Sequence, residues 1–131
     1  MLTAEYISVT FILSSQLLGI IRLLVTDDDR SFAEEALCGR IIDTPGHTAD
    51  SVSLIFNDGS LFCGDAAMNG LPSLNRITIW AEDKESFLQS WLTTISMKPK
   101  KIYPGHGKPF DYSELNGNLE KARRIKTYTL R

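Results

Sequence analysis

Three short apolar runs in this chain each stop at a glycine. Arg40–Asp43 ends at Thr44-Pro45-Gly46, Leu61–Cys63 at Gly64, and Lys101–Tyr103 at Pro104-Gly105. In each case the residue right after the glycine is a histidine or an aspartate: His47, Asp65 and His106. Short runs of this kind, closed by Gly or Pro, read as strands. Glycine lets the backbone turn sharply at the strand end and so brings the next side chain out there. The chain must therefore fold so that several strand ends carry chemically capable groups. His47 and His106 are its two histidines, and both sit in Pro-Gly-His turns.

The rest of the pattern alternates short strands with helices. Leu23 to Thr26 reads as a strand leading into an acidic turn at Asp27–Arg30. Ser51 to Phe56 is a further strand. The Asn57-Asp58-Gly59-Ser60 turn returns the chain as a hairpin into Leu61–Cys63. Ala66 to Ile79 contains Asn69-Gly70, Pro72 and Asn75 and reads mostly as loop. Glu85 to Ser96 places Phe87, Leu88, Trp91, Leu92 and Ile95 on one helical face, with Asp83 as N-cap. Phe87 and Trp91 are expected to be core anchors. Ser113 is expected to cap a last helix in which Leu115, Leu119, Ala122 and Ile125 share a face. Met1 to Ile21 is expected to be an apolar first element, helical in part, that must pack on the rest or on another chain.

Length and composition bound the answer further. A chain of 131 residues suggests one domain, 1–131, with a modest core. Hydrophobic residues at 43% and charged residues at 23% exclude disorder as the dominant state. Fourteen basic against sixteen acidic residues give a net charge of −2. That argues against nucleic acid as a partner, since phosphate binding needs a concentrated basic field. The clusters Asp27–Asp29, Lys98–Lys101 and Lys121–Lys126 read as solvated turns and helix ends. Tyr6 to Ile21 is uncharged but short for a membrane span and lacks a basic leader, so a cytoplasmic protein without a membrane partner is expected. Cys38 and Cys63 form no Cys-x-x-Cys pair and are expected to be buried thiols in strands.

Imidazole nitrogen and carboxylate oxygen suit a borderline divalent ion such as zinc. Asp65 can bridge two ions, one held partly by His47 and one partly by His106. Each residue alone has a plainer role. A histidine after Pro-Gly is usually a turn residue, and an aspartate after a strand usually a cap. The three together, in this order and context, point to positions inherited from a metal site.

At this point the sequence resembles the metallo-β-lactamase superfamily. Thr44-Pro45-Gly46-His47-Thr48 followed by Asp50-Ser51-Val52-Ser53-Leu54 looks like that family's third metal motif. Cys63-Gly64-Asp65-Ala66 is similar to its bridging-aspartate motif, and Tyr103-Pro104-Gly105-His106-Gly107 to its last histidine motif. The match runs from about Leu23 to Pro109. The resemblance implies an α/β fold, an αβ/βα sandwich built on mainly antiparallel sheet with flanking helices and a metal site at one edge. It implies hydrolysis of esters, thioesters, lactams or phosphodiesters by a metal-bound hydroxide. On the family pattern His47 serves the first ion, Asp65 bridges, and His106 serves the second.

One family motif is absent from these residues. No His-x-His-x-Asp-His segment precedes His47. Each ion would keep two ligands, counting Asp65 twice, where catalytic zinc takes three. The expectation is a truncated hydrolase-like domain, its second half missing, inactive alone and holding zinc at low occupancy. The alternative is a metal-free binding module or dimeric scaffold. In either case a second copy, a partner chain or Met1–Ile21 packed back over it is expected to cover the sheet face left open. A working enzyme with a rebuilt site would draw on Asp43, Asp50, Cys63 or Glu82.

Overall fold

The computed structural model describes residues 5–13, 17–25, 27–71, 73 and 75–125, with side chains from residue 30 onward. Two strands open the chain, β1 (Glu5–Leu13) and β2 (Leu17–Val25), followed by the helix α1 (Asp27–Leu37). Three strands follow: β3 (Gly39–Asp43), β4 (Val52–Phe56) and β5 (Ser60–Gly64). Helix α2 (Lys84–Met97), strand β6 (Lys101–Pro104) and helix α3 (Ser113–Ala122) complete the order.

The main sheet is mixed. Its order is β3-β4-β5-β6, with the first two pairings antiparallel and β5-β6 parallel. Asn57–Gly59 makes the expected hairpin turn. Gly59 sits at φ +92° and its N–H donates to the Phe56 carbonyl at 2.9 Å. The Gly59 carbonyl in turn accepts from Lys100 N–H at 2.8 Å, which brings in the start of β6.

Side chains alternate across the sheet. Leu61, Cys63 and Ile102 face the two later helices and form the main core with Phe87, Trp91 and Leu115. Trp91 and Phe87 are each 1% exposed. Burying side chains of that size is worth roughly 1.5–3 kcal/mol each. Trp91 Nε1 donates to the Ala66 carbonyl at 2.8 Å, so the indole is buried with its polar atom satisfied. On the opposite face Ile41 and Leu54 pack with Ala33 of α1. The Phe56, Phe62 and Tyr103 rings run beside them, with Phe62 stacked on Tyr103 at 4.8 Å.

The structure corrects the sequence reading in four places. The first segment is no helix: β1 and β2 form a separate antiparallel ladder, from Glu5↔Val25 to Leu13↔Leu17. Its density of Ile, Val and Thr favours extended backbone. Residues 1–4, 14–16 and Thr26, also covered by that reading, lie outside the described residues. Asp27–Arg30 is no turn but the first turn of α1, where acidic residues suit the helix dipole. Cys38 is exposed, at φ +51° between α1 and β3, rather than buried in a strand. Ser113 is the first residue of α3 rather than its cap, and the N-cap position, Tyr112, makes no side-chain cap bond.

Candidate metal centre

Each of the three turns is held by its own set of contacts. At the end of β3, Thr44 is 1% exposed, and its hydroxyl pairs with that of Ser53 at 2.9 Å. Gly46 follows at φ +136°, pressed against the Phe87 backbone of α2 where a Cβ would collide. Gly46 and His47 then lie alongside the segment leading into α2. Their carbonyls accept from Asp83 N–H at 3.1 Å and Glu82 N–H at 3.2 Å. Ser90 of α2 donates to the Pro45 carbonyl at 2.7 Å. The His47 turn is thus mounted on the N-terminal half of α2.

Asp65 follows Gly64 at the end of β5, and His106 follows Gly105 just past β6. The parallel pairing places these two turns side by side, with Gly105 N–H donating to the Gly64 carbonyl at 2.8 Å. A Cβ on Gly105 would stand 3.1 Å from Asp65 Oδ1. The His106 carbonyl accepts from Asn69 N–H at 3.0 Å, and the Asn69 carbonyl occupies the place a Cβ of Gly107 would need.

The three side chains converge. Asp65 lies between the imidazoles, with Oδ1 at 2.7 Å from His106 Nδ1 and Oδ2 at 3.5 Å from His47 Nε2. The side chains of His47, Asp65 and His106 are 13%, 30% and 71% exposed, so His47 forms the floor and His106 the rim. The Trp80 ring packs beside His47 at a tilt of 46°, ring centroids 4.5 Å apart, and its carbonyl lies 2.9 Å from His47 Nδ1. The site is an open edge. A cavity of about 410 Å³ between Pro45 and α2 is lined by Asp43, Glu85, Ser86 and Gln89 among others, and by none of the three.

The two contacts to Asp65 differ in kind. At 2.7 Å the His106 contact is a direct hydrogen bond, too short to have an ion between the atoms. The His47 contact is too long for a hydrogen bond. Zinc bonds of 2.0–2.2 Å at a tetrahedral angle hold two donor atoms about 3.4 Å apart, so the 3.5 Å between Nε2 and Oδ2 fits a shared ion. Among the described residues, however, no group of three or more His, Cys, Asp and Glu side chains stands ready to hold an ion. The residues present fit one edge of a zinc site and do not complete it.

The acids and thiol that a rebuilt site would use are engaged elsewhere. Asp43 pairs with Arg30 at 2.7 Å. Glu82 accepts from Ala49 N–H at 3.0 Å and so braces the His47 turn. Cys63 is buried in the main core, where desolvation, with the nearby Asp65 charge adding to it, pushes its thiol up to about 12. Asp50 is exposed at the end of the turn. Sequence reasoning missed Thr78 and Trp80. Thr78 falls in the stretch Ala66 to Ile79 that reads as loop and Trp80 directly after it, and the one available signal was the apolar run Ile77, Ile79, Trp80 and Ala81 around Thr78.

The chain is similar to part of several known proteins. The chain is 37% identical over 79 residues to the β-lactamase-like protein 2 homolog of Drosophila melanogaster, which covers 60% of this chain and 25% of that protein. It is 33% identical over 94 residues to the homolog of Caenorhabditis elegans, covering 71% of this chain and 30% of that protein. The chain thus spans less than a third of the length of these curated relatives. Among solved structures it resembles an archaeal metallo-β-lactamase superfamily protein from Sulfolobus tokodaii. The TM-score is 0.53 at 26% identity, over 63% of this chain and 32% of that one. No protein-family model matches the chain.

Proposed function

We propose, from this chain's relationship to part of the metallo-β-lactamase superfamily, that it supplies one half of a two-ion hydrolase site. Its half comprises His47, Asp65 and His106. The observation that carries this reading is their convergence, with one carboxylate reaching two imidazoles delivered by separate Gly-kinked turns. Zinc, when bound, supplies a water acidified to near neutrality and an electrophile for a carbonyl or phosphoryl oxygen. On this reading His47 and Asp65 would help hold one ion, and Asp65 and His106 would help hold the second. The remaining ligands come from outside these 131 residues, so the chain alone takes up zinc at low occupancy and does not turn over.

The test is complementation. Mixing the chain with a partner chain that carries a His-x-His-x-Asp-His segment on this fold should generate zinc-dependent ester hydrolysis, lost in Asp65→Ala and His47→Ala. No gain at saturating zinc would overturn the proposal.

A metal-free binding module or dimeric scaffold is the second reading. It is favoured by the direct His106–Asp65 bond, which closes half the site without an ion. In that case a second copy or a partner chain packs on the sheet. Metal analysis of the purified chain in a zinc series separates the two readings, because uptake that is lost in Asp65→Ala, even well below one ion per chain, contradicts a metal-free module. Sedimentation as a monomer contradicts the dimer. A cytoplasmic location fits two cysteines that both stand free. No helix among the described residues is long and apolar enough to cross a membrane.

A further inference from the structure

His47 has two acceptors around one ring nitrogen. The Trp80 carbonyl lies 2.9 Å from Nδ1 and the Thr78 hydroxyl oxygen 3.3 Å from it. A carbonyl can only accept. The Thr78 hydroxyl directs its own proton to Met68 Sδ at 3.9 Å, which leaves its oxygen as acceptor toward the ring. Thr78 is 4% exposed, so water does not compete for that oxygen. The Trp80 carbonyl therefore requires a proton on Nδ1, and the Thr78 hydroxyl oxygen is placed to accept from it as well. The other nitrogen, Nε2, is left with its lone pair facing Asp65 Oδ2.

We infer that Thr78, together with the Trp80 carbonyl, is a positioning residue that fixes His47 in the tautomer with Nε2 free. The Trp80 ring, tilted at 46° with its centroid 4.5 Å from that of the imidazole, limits rotation of the imidazole. Backbone bonds from Glu82 and Asp83 to the carbonyls of His47 and Gly46 hold the turn from the other side. The segment between β5 and α2 is thus an orienting brace for His47, and Thr78 is its one side-chain hydroxyl on that ring. A histidine that ligates through one nitrogen commonly has the other committed to such an acceptor, and loss of the acceptor costs 10–100-fold in metal affinity. The inference rests on the reading of His47 as a metal position, but the tautomer exists without metal and is read without it.

The experiment is long-range proton–nitrogen correlation NMR on the full chain without metal, at a pH well above the histidine range. The wild type should show His47 almost wholly as the Nδ1–H tautomer. Thr78→Val, which keeps the shape and removes the acceptor, should raise the minor tautomer several-fold. Thr78→Ser should restore the wild-type pattern. A wild type that is mixed, or carries its proton on Nε2, overturns the inference. So does a Thr78→Val chain with the wild-type pattern. If Thr78→Val does not fold, the wild-type tautomer and a Trp80→Phe variant, which keeps the carbonyl and should keep the Nδ1–H form, decide it. A later failure to bind zinc would count against the proposed function and leave the tautomer result as it stands.

Discussion

At the residue scale the site depends on three glycines that place a histidine or an aspartate at a strand end. Gly46 is the most constrained, because it combines φ +136° with direct contact between backbones. Gly46→Ala should destabilise the chain by about 3 kcal/mol or more, because the new Cβ has nowhere to go and the backbone angle is strained. Urea unfolding measures this, and a change below about 1 kcal/mol would mean the turn relaxes freely. The two thiols offer a second residue-level test. Exposed Cys38 should react with a thiol reagent at neutral pH in the native protein. Buried Cys63, its ionisation pushed up to about 12, should react only after unfolding. Two fast thiols per chain would contradict the burial of Cys63. His47, Asp65 and His106 were legible in the sequence because Pro-Gly-His and Gly-Asp are local signals. Thr78 and Trp80 were not, because their role depends on where a loop lies in space, 31 and 33 residues from the histidine they hold.

At the element scale α2 is the part on which the His47 turn is mounted. Its periodicity was plain in the sequence, and Phe87 and Trp91 are buried one turn apart as that periodicity requires. Trp91→Ala should cost about 3–5 kcal/mol. Trp91→Phe should cost about 1–3 kcal/mol, since it leaves the buried Ala66 carbonyl without its donor. Equal costs for the two variants would show that the bulk of the ring contributes nothing beyond the hydrogen bond, and a negligible cost for Trp91→Phe would show that the bond itself contributes nothing. The helix start gives a pH dependence. Asp83 accepts from the Ser86 hydroxyl and from Glu85 N–H, and these bonds hold its carboxyl below the usual carboxylate value. A group whose ionised form is favoured on folding stabilises fully above its unfolded pKa, about 4, and loses that contribution as pH falls through the lower folded value. Asp83→Ala should therefore lower the thermal midpoint at neutral pH and have a smaller effect in acid, as followed by circular dichroism. An equal drop at both pH values would contradict this. The same segment-by-segment reading failed for β1, for the first part of β2 and for the start of α1, while Leu23–Val25 was read as strand and lies in β2. A run of mixed apolar and hydroxyl residues carries no clear period of 2 or 3.6. The sequence DDDR reads as a turn unless the helix that follows is recognised, and among the described side chains of α1 the apolar ones packed in the core are Ala33 and, in part, Leu37.

At the scale of the whole molecule, a four-stranded mixed sheet has its helices α2 and α3 on one face and α1 on the other. The parallel β5-β6 pairing sets Asp65 beside His106, and the mounting of the β3–β4 turn on α2 brings in His47. This convergence could be expected from the order of the motifs, but the 2.7 Å and 3.5 Å distances could not. They depend on how a sheet edge and a helix end pack together. The most direct measurement is a zinc titration of the full chain, following the ring nitrogens of both histidines by NMR to saturation. The account predicts that His47 and His106 shift together, and that Asp65→Ala abolishes the joint response. If neither histidine responds to zinc, or if both respond unchanged without the aspartate, the three turns do not form one site.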